Sequence, residues 1–141
     1  MGPLKKWGSG IISLGLALGL SGCLFVADDD GDDYAGPLPG TLTVEWSVEG
    51  QTDALDCADL GVDRLELVIY DSAGVEVAEL EPFCEDFSVS VDLDEGRYFA
   101  DVTLIDSFDR SATLTETIER IDIIAGTDLN VGVDFPIDSF L

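Results

Sequence analysis

In five runs between residues 41 and 135 apolar and polar side chains alternate, and this period of two constrains the chain more than any other feature. Leu42, Val44, Trp46 and Val48 alternate with Thr41, Thr43, Glu45, Ser47 and Glu49. Leu65, Leu67 and Ile69 alternate with Arg64, Glu66 and Val68, and Phe87, Val89, Val91 and Leu93 with Ser88, Ser90 and Asp92. Tyr98, Ala100, Val102 and Leu104 alternate with Arg97, Phe99, Asp101 and Thr103, and Leu129, Val131, Val133 and Phe135 close the series. Successive side chains of extended backbone point to opposite faces, so each run reads as a strand with one buried and one wet face. Weaker strand patterns lie at 75–80 and 112–124.

Turn chemistry falls between the runs. Asp71-Ser72-Ala73-Gly74 reads as a tight hairpin turn with glycine last, and Asp94-Glu95-Gly96, Ser107–Ser111 and Ala125-Gly126-Thr127 separate the other strands. Asp53–Gly61 offers one possible helical turn inside a long loop. Seven short strands without a long 3.6-period segment predict an all-β fold, a single seven-stranded antiparallel β-sandwich over residues 41–141. Phe99 and Ile105 break the alternation on the polar phase, which marks either an exposed binding surface or, the favoured reading, a central strand covered on both faces. Phe140 and Leu141 read either as a core plug or as a docking tail.

The first forty residues follow other rules. Lys5 and Lys6 precede the apolar run Ile11–Leu20, the layout of a secretory signal peptide, and this run is too short for an ordinary membrane-spanning helix. Leu20-Ser21-Gly22-Cys23 then resembles the bacterial lipobox at every position. The resemblance implies a diacylglyceryl group on the Cys23 sulfur, cleavage between Gly22 and Cys23, and a lipid-anchored product starting at Cys23. Two or three acyl chains make a stable anchor where one would not. Leu24, rather than Asp, follows the cysteine, which by similarity to enteric sorting points to the outer membrane. The domain organisation expected is therefore 1–22 signal peptide, 23–40 lipidated cysteine and acidic tether, and 41–141 sandwich. In the tether, Asp28, Asp29, Asp30, Asp32 and Asp33 repel one another, and Pro37, Pro39 and three glycines oppose regular structure. Such a disordered spacer of roughly 17 residues would hold the domain about 20–25 Å from the bilayer. The aspartates lack the spacing of an EF-hand calcium loop.

Charge and cysteine count narrow the chemistry. The whole chain has 6 Lys and Arg against 30 Asp and Glu, no His, and a net charge of −24. Both lysines lie before Cys23, so the mature product would set the 30 acids against Arg64, Arg97, Arg110 and Arg120. A polyanion of this kind is no nucleic-acid partner, because phosphate binding needs Lys and Arg to displace counterions. Without histidine there is no Ser–His–Asp or Cys–His pair and no imidazole metal site. With Cys23 lipidated, Cys57 and Cys84 are an even pair in an exported chain and are expected to form one disulfide.

The segment Val89–Val102, with Leu93, Asp94, Gly96 and Tyr98, resembles the signature of transthyretin-like and carboxypeptidase-regulatory-like sandwiches, an Ig-like or prealbumin-like architecture. That resemblance implies that Gly96 turns the chain between two core strands while Tyr98 packs inside. It covers about 15 residues and implies fold only.

Nothing in the pattern gathers catalytic groups. Most acids fall on outward strand phases or in turns; Glu116 and Glu119, flanked by apolar residues, are the pair that stands apart. Asp92–Glu95 and Asp106–Asp109 offer hard oxygen ligands, so a calcium-binding surface domain is a lesser alternative to plain turn chemistry. The expectation is a non-enzymatic envelope lipoprotein with no cofactor and no metal site. Its sandwich would serve binding, adhesion or structure, its partners being the membrane through the anchor and an envelope protein or polysaccharide. The alternative is an accessory lipoprotein of an envelope protein assembly.

Overall fold

The computed structural model describes residues 38–141. The signal peptide, Gly22, Cys23 and most of the acidic tether lie outside the described residues. Seven strands form two sheets: β1 (Pro39–Val48), β2 (Val62–Asp71), β3 (Glu76–Leu80), β4 (Ser88–Asp94), β5 (Gly96–Asp106), β6 (Glu116–Ile123) and β7 (Asp128–Phe135). One sheet has the order β4-β1-β7 and the other β3-β2-β5-β6. They face each other as a β-sandwich around Trp46, Phe135, Leu42, Leu65, Leu67, Ile69, Leu104 and Ile121, all of which are fully buried.

Every pairing is antiparallel except one. β7 runs parallel to β1, from Thr41 opposite Asp128 to Val48 opposite Phe135. The chain leaves β6 in the four-stranded sheet and crosses through Ile124–Thr127 into the other sheet. There it lies beside β1 and runs in the same direction. The crossing is fixed by Gly126 N–H donating to Pro39 C=O and Thr41 N–H donating to Thr127 C=O, both at 2.9 Å. A half-buried strand alternates in the same way beside a parallel or an antiparallel neighbour, so the pattern could not carry this detail.

The turns work as their residues require. The Asp71 carboxylate accepts the N–H groups of Ala73 and Val75, each at 2.9 Å, and Gly74 takes φ +84° to close the β2–β3 hairpin. Gly96, at φ +155°, carries the chain from one sheet to the other against the ring of Tyr98. Tyr98 is buried, and its hydroxyl donates to Asp94 C=O at 2.7 Å. Gly40 marks a close approach between the sheets: a Cβ there would lie 2.5 Å from Ile124 C=O and 2.8 Å from the Ile123 side chain.

Three bulges interrupt the ladders of the four-stranded sheet, at Val62–Arg64, Ile69–Tyr70 and Tyr98–Ala100. At the last, Ile118 pairs with Ala100 and Ile121 with Tyr98. Two residues of β6, Glu119 and Arg120, therefore stand opposite Phe99 alone, and both isoleucines point inward although three positions apart. β5 is a central strand, between β2 and β6. Ile105 on its outer phase is buried, and Phe99 stacks on Tyr70 with ring centroids 5.0 Å apart. At the C-terminus Phe140 pairs with Thr113 and packs on the core, whereas the Leu141 side chain is 77% exposed.

Candidate functional site

The strand directions give the sandwich two poles. Leu38, Asp94–Gly96 and Ile124–Thr127 cluster at one, where the N-terminal segment enters. The Val48–Gln51 turn, the Asp106–Arg110 turn and the C-terminal Ile137–Ser139 turn lie at the other. A strand of ten residues separates them, about 30 Å.

The second pole carries the disulfide. The 53–61 loop contains a short helix, α1 (Ala54–Asp59), because the Asp53 carboxylate caps it by accepting Leu55 N–H at 2.9 Å. α1 buries Cys57 against Cys84, which opens a 3-10 turn over Cys84–Asp86. Cys57 and Cys84 are bonded, with Cα atoms 6.1 Å apart and both residues buried. The disulfide predicted from the cysteine count is thus present. The Trp46 indole N–H donates to Cys84 C=O at 3.0 Å, which locks the turn to the centre of the three-stranded sheet.

Arg64 ties the same pole together. Its guanidinium donates to Glu81 and to Asp109, each at 2.6 Å, and to Asp63 at 3.5 Å. Donating to Glu81 and Asp109 holds the guanidinium further above its already high range. The neighbouring Asp106 carboxylate accepts N–H groups from Phe108 at 2.8 Å and Arg110 at 3.0 Å, and the Arg110 side chain at 3.1 Å. The Arg110 N–H is the main reason this carboxyl sits below the usual range. These oxygens are engaged in turn geometry. Asp92 likewise accepts the Thr41 hydroxyl at 2.8 Å. In the two loops considered for calcium, Asp92, Asp106 and Asp109 therefore spend carboxylate oxygens on internal donors.

Glu116 is half-buried and lines a depression of about 340 Å³ with Ile118, Val131 and Val133, whereas Glu119 is exposed at the β6 bulge and is not part of that lining. The structure assembles another group that sequence spacing did not signal. Glu66, Glu79 and Glu81 converge across the β2–β3 pairing, with carboxylate oxygens within 4.8 Å of one another. Their proximity follows from register across two strands. Glu81 within this group is already bound to Arg64, and both Glu79 and Glu81 are exposed.

Two further concavities flank these features. A shallow depression of about 660 Å³ lies on the outer face of the three-stranded sheet, where Gly132 stands between Glu45, Ser47 and Asp134. Its lining is polar and apolar in equal measure: Glu45, Asp86 and Asp134 stand beside Val133 and Phe87, whose ring tilts against the buried Trp46 with centroids 6.4 Å apart. The second, about 280 Å³, lies beside the disulfide, between α1 and the 82–85 segment. Exposed apolar side chains concentrate at this pole: Leu55, Leu60, Phe83, Phe108, Ile137 and Leu141.

Comparison with known proteins bears on the fold. No family profile matches the chain, and no curated protein is similar to it. Among solved structures, the Bacillus anthracis TIE protein is similar with a TM-score of 0.52 and 18% identity, over 79% of this chain and 19% of that one. A leucine-rich repeat protein from Bacteroides thetaiotaomicron reaches a TM-score of 0.42 at 16% identity, over 79% of this chain and 15% of that one. This chain spans about a fifth or less of either protein. At such identity the likeness to the first is one of fold alone: an all-β, two-sheet sandwich, pinned here by a disulfide.

Proposed function

We propose that this protein is a lipid-anchored envelope protein whose sandwich is a non-catalytic binding module held at the outer membrane by Cys23. The observation that carries the reading is the division of the cysteines. Cys57 and Cys84 are buried and bonded to each other, which leaves Cys23, in its Leu20-Ser21-Gly22-Cys23 context, as the one thiol open to alkylation. A buried disulfide also suits an oxidising compartment outside the cytosol. The exposed carboxylates and the internally engaged Asp92 and Asp106 favour binding over chemistry.

The test is expression of the full chain in a Gram-negative host, with intact-mass analysis of the membrane fraction. The expected product begins at Cys23 and carries the mass of a diacylglyceryl group plus an amide-linked acyl chain. Cys23→Ser should leave the protein unlipidated and uncut. A wild-type product with a free Cys23 thiol, or cleaved elsewhere, overturns the proposal. The accessory reading, in which the module recognises another envelope protein, is favoured by the apolar side chains gathered at the pole opposite Leu38.

A further inference from the structure

The concavity beside the disulfide combines features that pick out one kind of occupant. Its floor is Cys57, Val62 and Cys84, each less than 10% exposed. Ala58 and Phe83 form its walls, and Phe83 keeps 62% of its surface in solvent. Asp63 and Glu85 stand at the rim. At about 280 Å³ it falls below the range of about 300–1,000 Å³ that encloses small-molecule ligands, and suits one large side chain.

Phe83 is held in this exposed position. Its backbone pairs with Arg64, and Asp86 N–H donates to Phe83 C=O at 3.0 Å before the chain turns into the disulfide. Phe108, on the same pole, is covered by the Arg110 guanidinium 5.1 Å from its ring centre, whereas Phe83 has no aromatic or cationic partner among the described residues. The charge around the groove has one sign. Asp53, Asp56 and Asp59 lie along α1, with Asp63, Glu85 and Asp86 beside it. The nearest cation, Arg64, is taken by three carboxylates. An anionic bilayer or a second copy of this chain would be repelled, and a neutral apolar ligand would leave the rim acids unanswered.

We propose that this groove docks a basic segment of a partner protein through one apolar side chain, packed on Phe83 over the disulfide, with flanking Lys or Arg facing Asp63 and Glu85. This rests on the binding-module reading for its biological setting, but the groove is independent of lipidation at Cys23. The pole is the one opposite Leu38, so an anchored molecule presents it away from the entry of its tether.

The experiment uses the full chain as isolated from cells, placed in zwitterionic nanodiscs where it partitions to membrane. Fluorescence anisotropy follows two labelled peptides of equal charge. One carries lysines around a central Leu-Phe pair, and the other has Gly-Ser in that place. The apolar peptide should bind about tenfold more tightly, the scale of one buried aromatic anchor. Phe83→Ser should abolish that preference while leaving the thermal midpoint unchanged, and Val77→Ser, on β3, should retain it. Equal binding of the two peptides, a preference that survives Phe83→Ser, or a preference for anionic vesicles over both peptides overturns the proposal. Cys23→Ser should keep the preference; its effect on membrane partition tests the anchor alone, so the two readings fail separately.

Discussion

Breaking the Cys57–Cys84 bond should cost a large share of the roughly 5–15 kcal/mol by which a domain of this size stays folded. The bond spans a sequence separation of 27. In the loop-entropy relation, cross-linking at that separation removes about 12 cal/mol/K from the unfolded chain, or about 3.5 kcal/mol at 25 °C. A domain of about 100 residues unfolds with an entropy near 0.2 kcal/mol/K, so the midpoint should fall by about 15 °C. The β2–β3 hairpin lies inside the loop, so its own closure in the unfolded ensemble would subtract from this figure. The measurement is far-UV circular dichroism of oxidised and reduced protein, with urea titration of both. Reduction keeps both sulfurs in place and so reports the cross-link rather than lost packing. Reduced protein should melt about 15 °C lower and show a larger m-value, because its unfolded state exposes more surface. A loss under about 4 °C with an unchanged m-value would refute the reasoning. Residual structure in the unfolded chain would then already restrain the loop without the bond.

Other positions give smaller, distinct effects. Gly40→Ala places a methyl 2.5 Å from Ile124 C=O and should cost about 1–3 kcal/mol in chemical denaturation, because backbone rather than a flexible side chain must yield. Thr113 is buried and its hydroxyl accepts Leu104 N–H at 3.1 Å; Thr113→Val should cost about 1–3 kcal/mol through that orphaned donor, and Thr113→Ser should recover most of it. Burial, then the charges of Asp94 and Asp71, raise the Tyr98 phenol above its ordinary value of about 10. A raised folded value gives stability that is whole below pH 10 and lost as pH climbs through the folded value, so Tyr98→Phe should flatten the alkaline limb of a stability–pH curve while lowering the neutral plateau by about 1 kcal/mol. The Asp106 carboxyl, lowered by its backbone donors, contributes in the opposite sense. Its share is whole above the ordinary carboxylate range and disappears as acid drives the pH through its folded value, so Asp106→Asn should blunt acid unfolding followed by Trp46 fluorescence.

What the alternation revealed and what it hid have the same cause. Leu42 to Val48 and Tyr98 to Leu104 obey a strict period of two and are buried as expected, because neither run carries an extra residue itself: the bulge at Tyr98–Ala100 places its additional residue on β6. The stretch 112–124 read weakly because the bulge at Glu119 and Arg120 shifts the phase and sets Ile118 and Ile121 three apart on one face. Val62 and Leu65 are offset in the same way by the bulge at Asp63. α1 was legible only as one possible turn, since six residues are too few to show a period and its cap, Asp53, looks like any other loop aspartate. The groove was not legible at all. It is made by a covalent bond that brings residues 57–58 beside 83–85, and Phe83 alone gives no sequence signal of being exposed.

The acid that dominates the composition has a geometric role in this frame. An open sandwich leaves unpaired strand edges, which invite association with other chains. Here the edge strands are β4 and β7 of one sheet and β3 and β6 of the other. Each carries exposed carboxylates: Asp92 and Asp94 on β4, Asp128 and Asp134 on β7, Glu76 and Glu79 on β3, Glu119 and Asp122 on β6. Two copies approaching edge to edge would bring like charges together, with Arg97 and Arg120 as the only cations on β5 and β6. The same excess that keeps this chain from itself suits the basic partner proposed for the Phe83 groove, where an apolar contact would add to charge. Self-association should therefore appear only when salt screens the edges, over a Debye length that shrinks to about 3 Å at 1 M. Binding at Phe83 should weaken over the same salt range without vanishing, because its apolar part is unscreened.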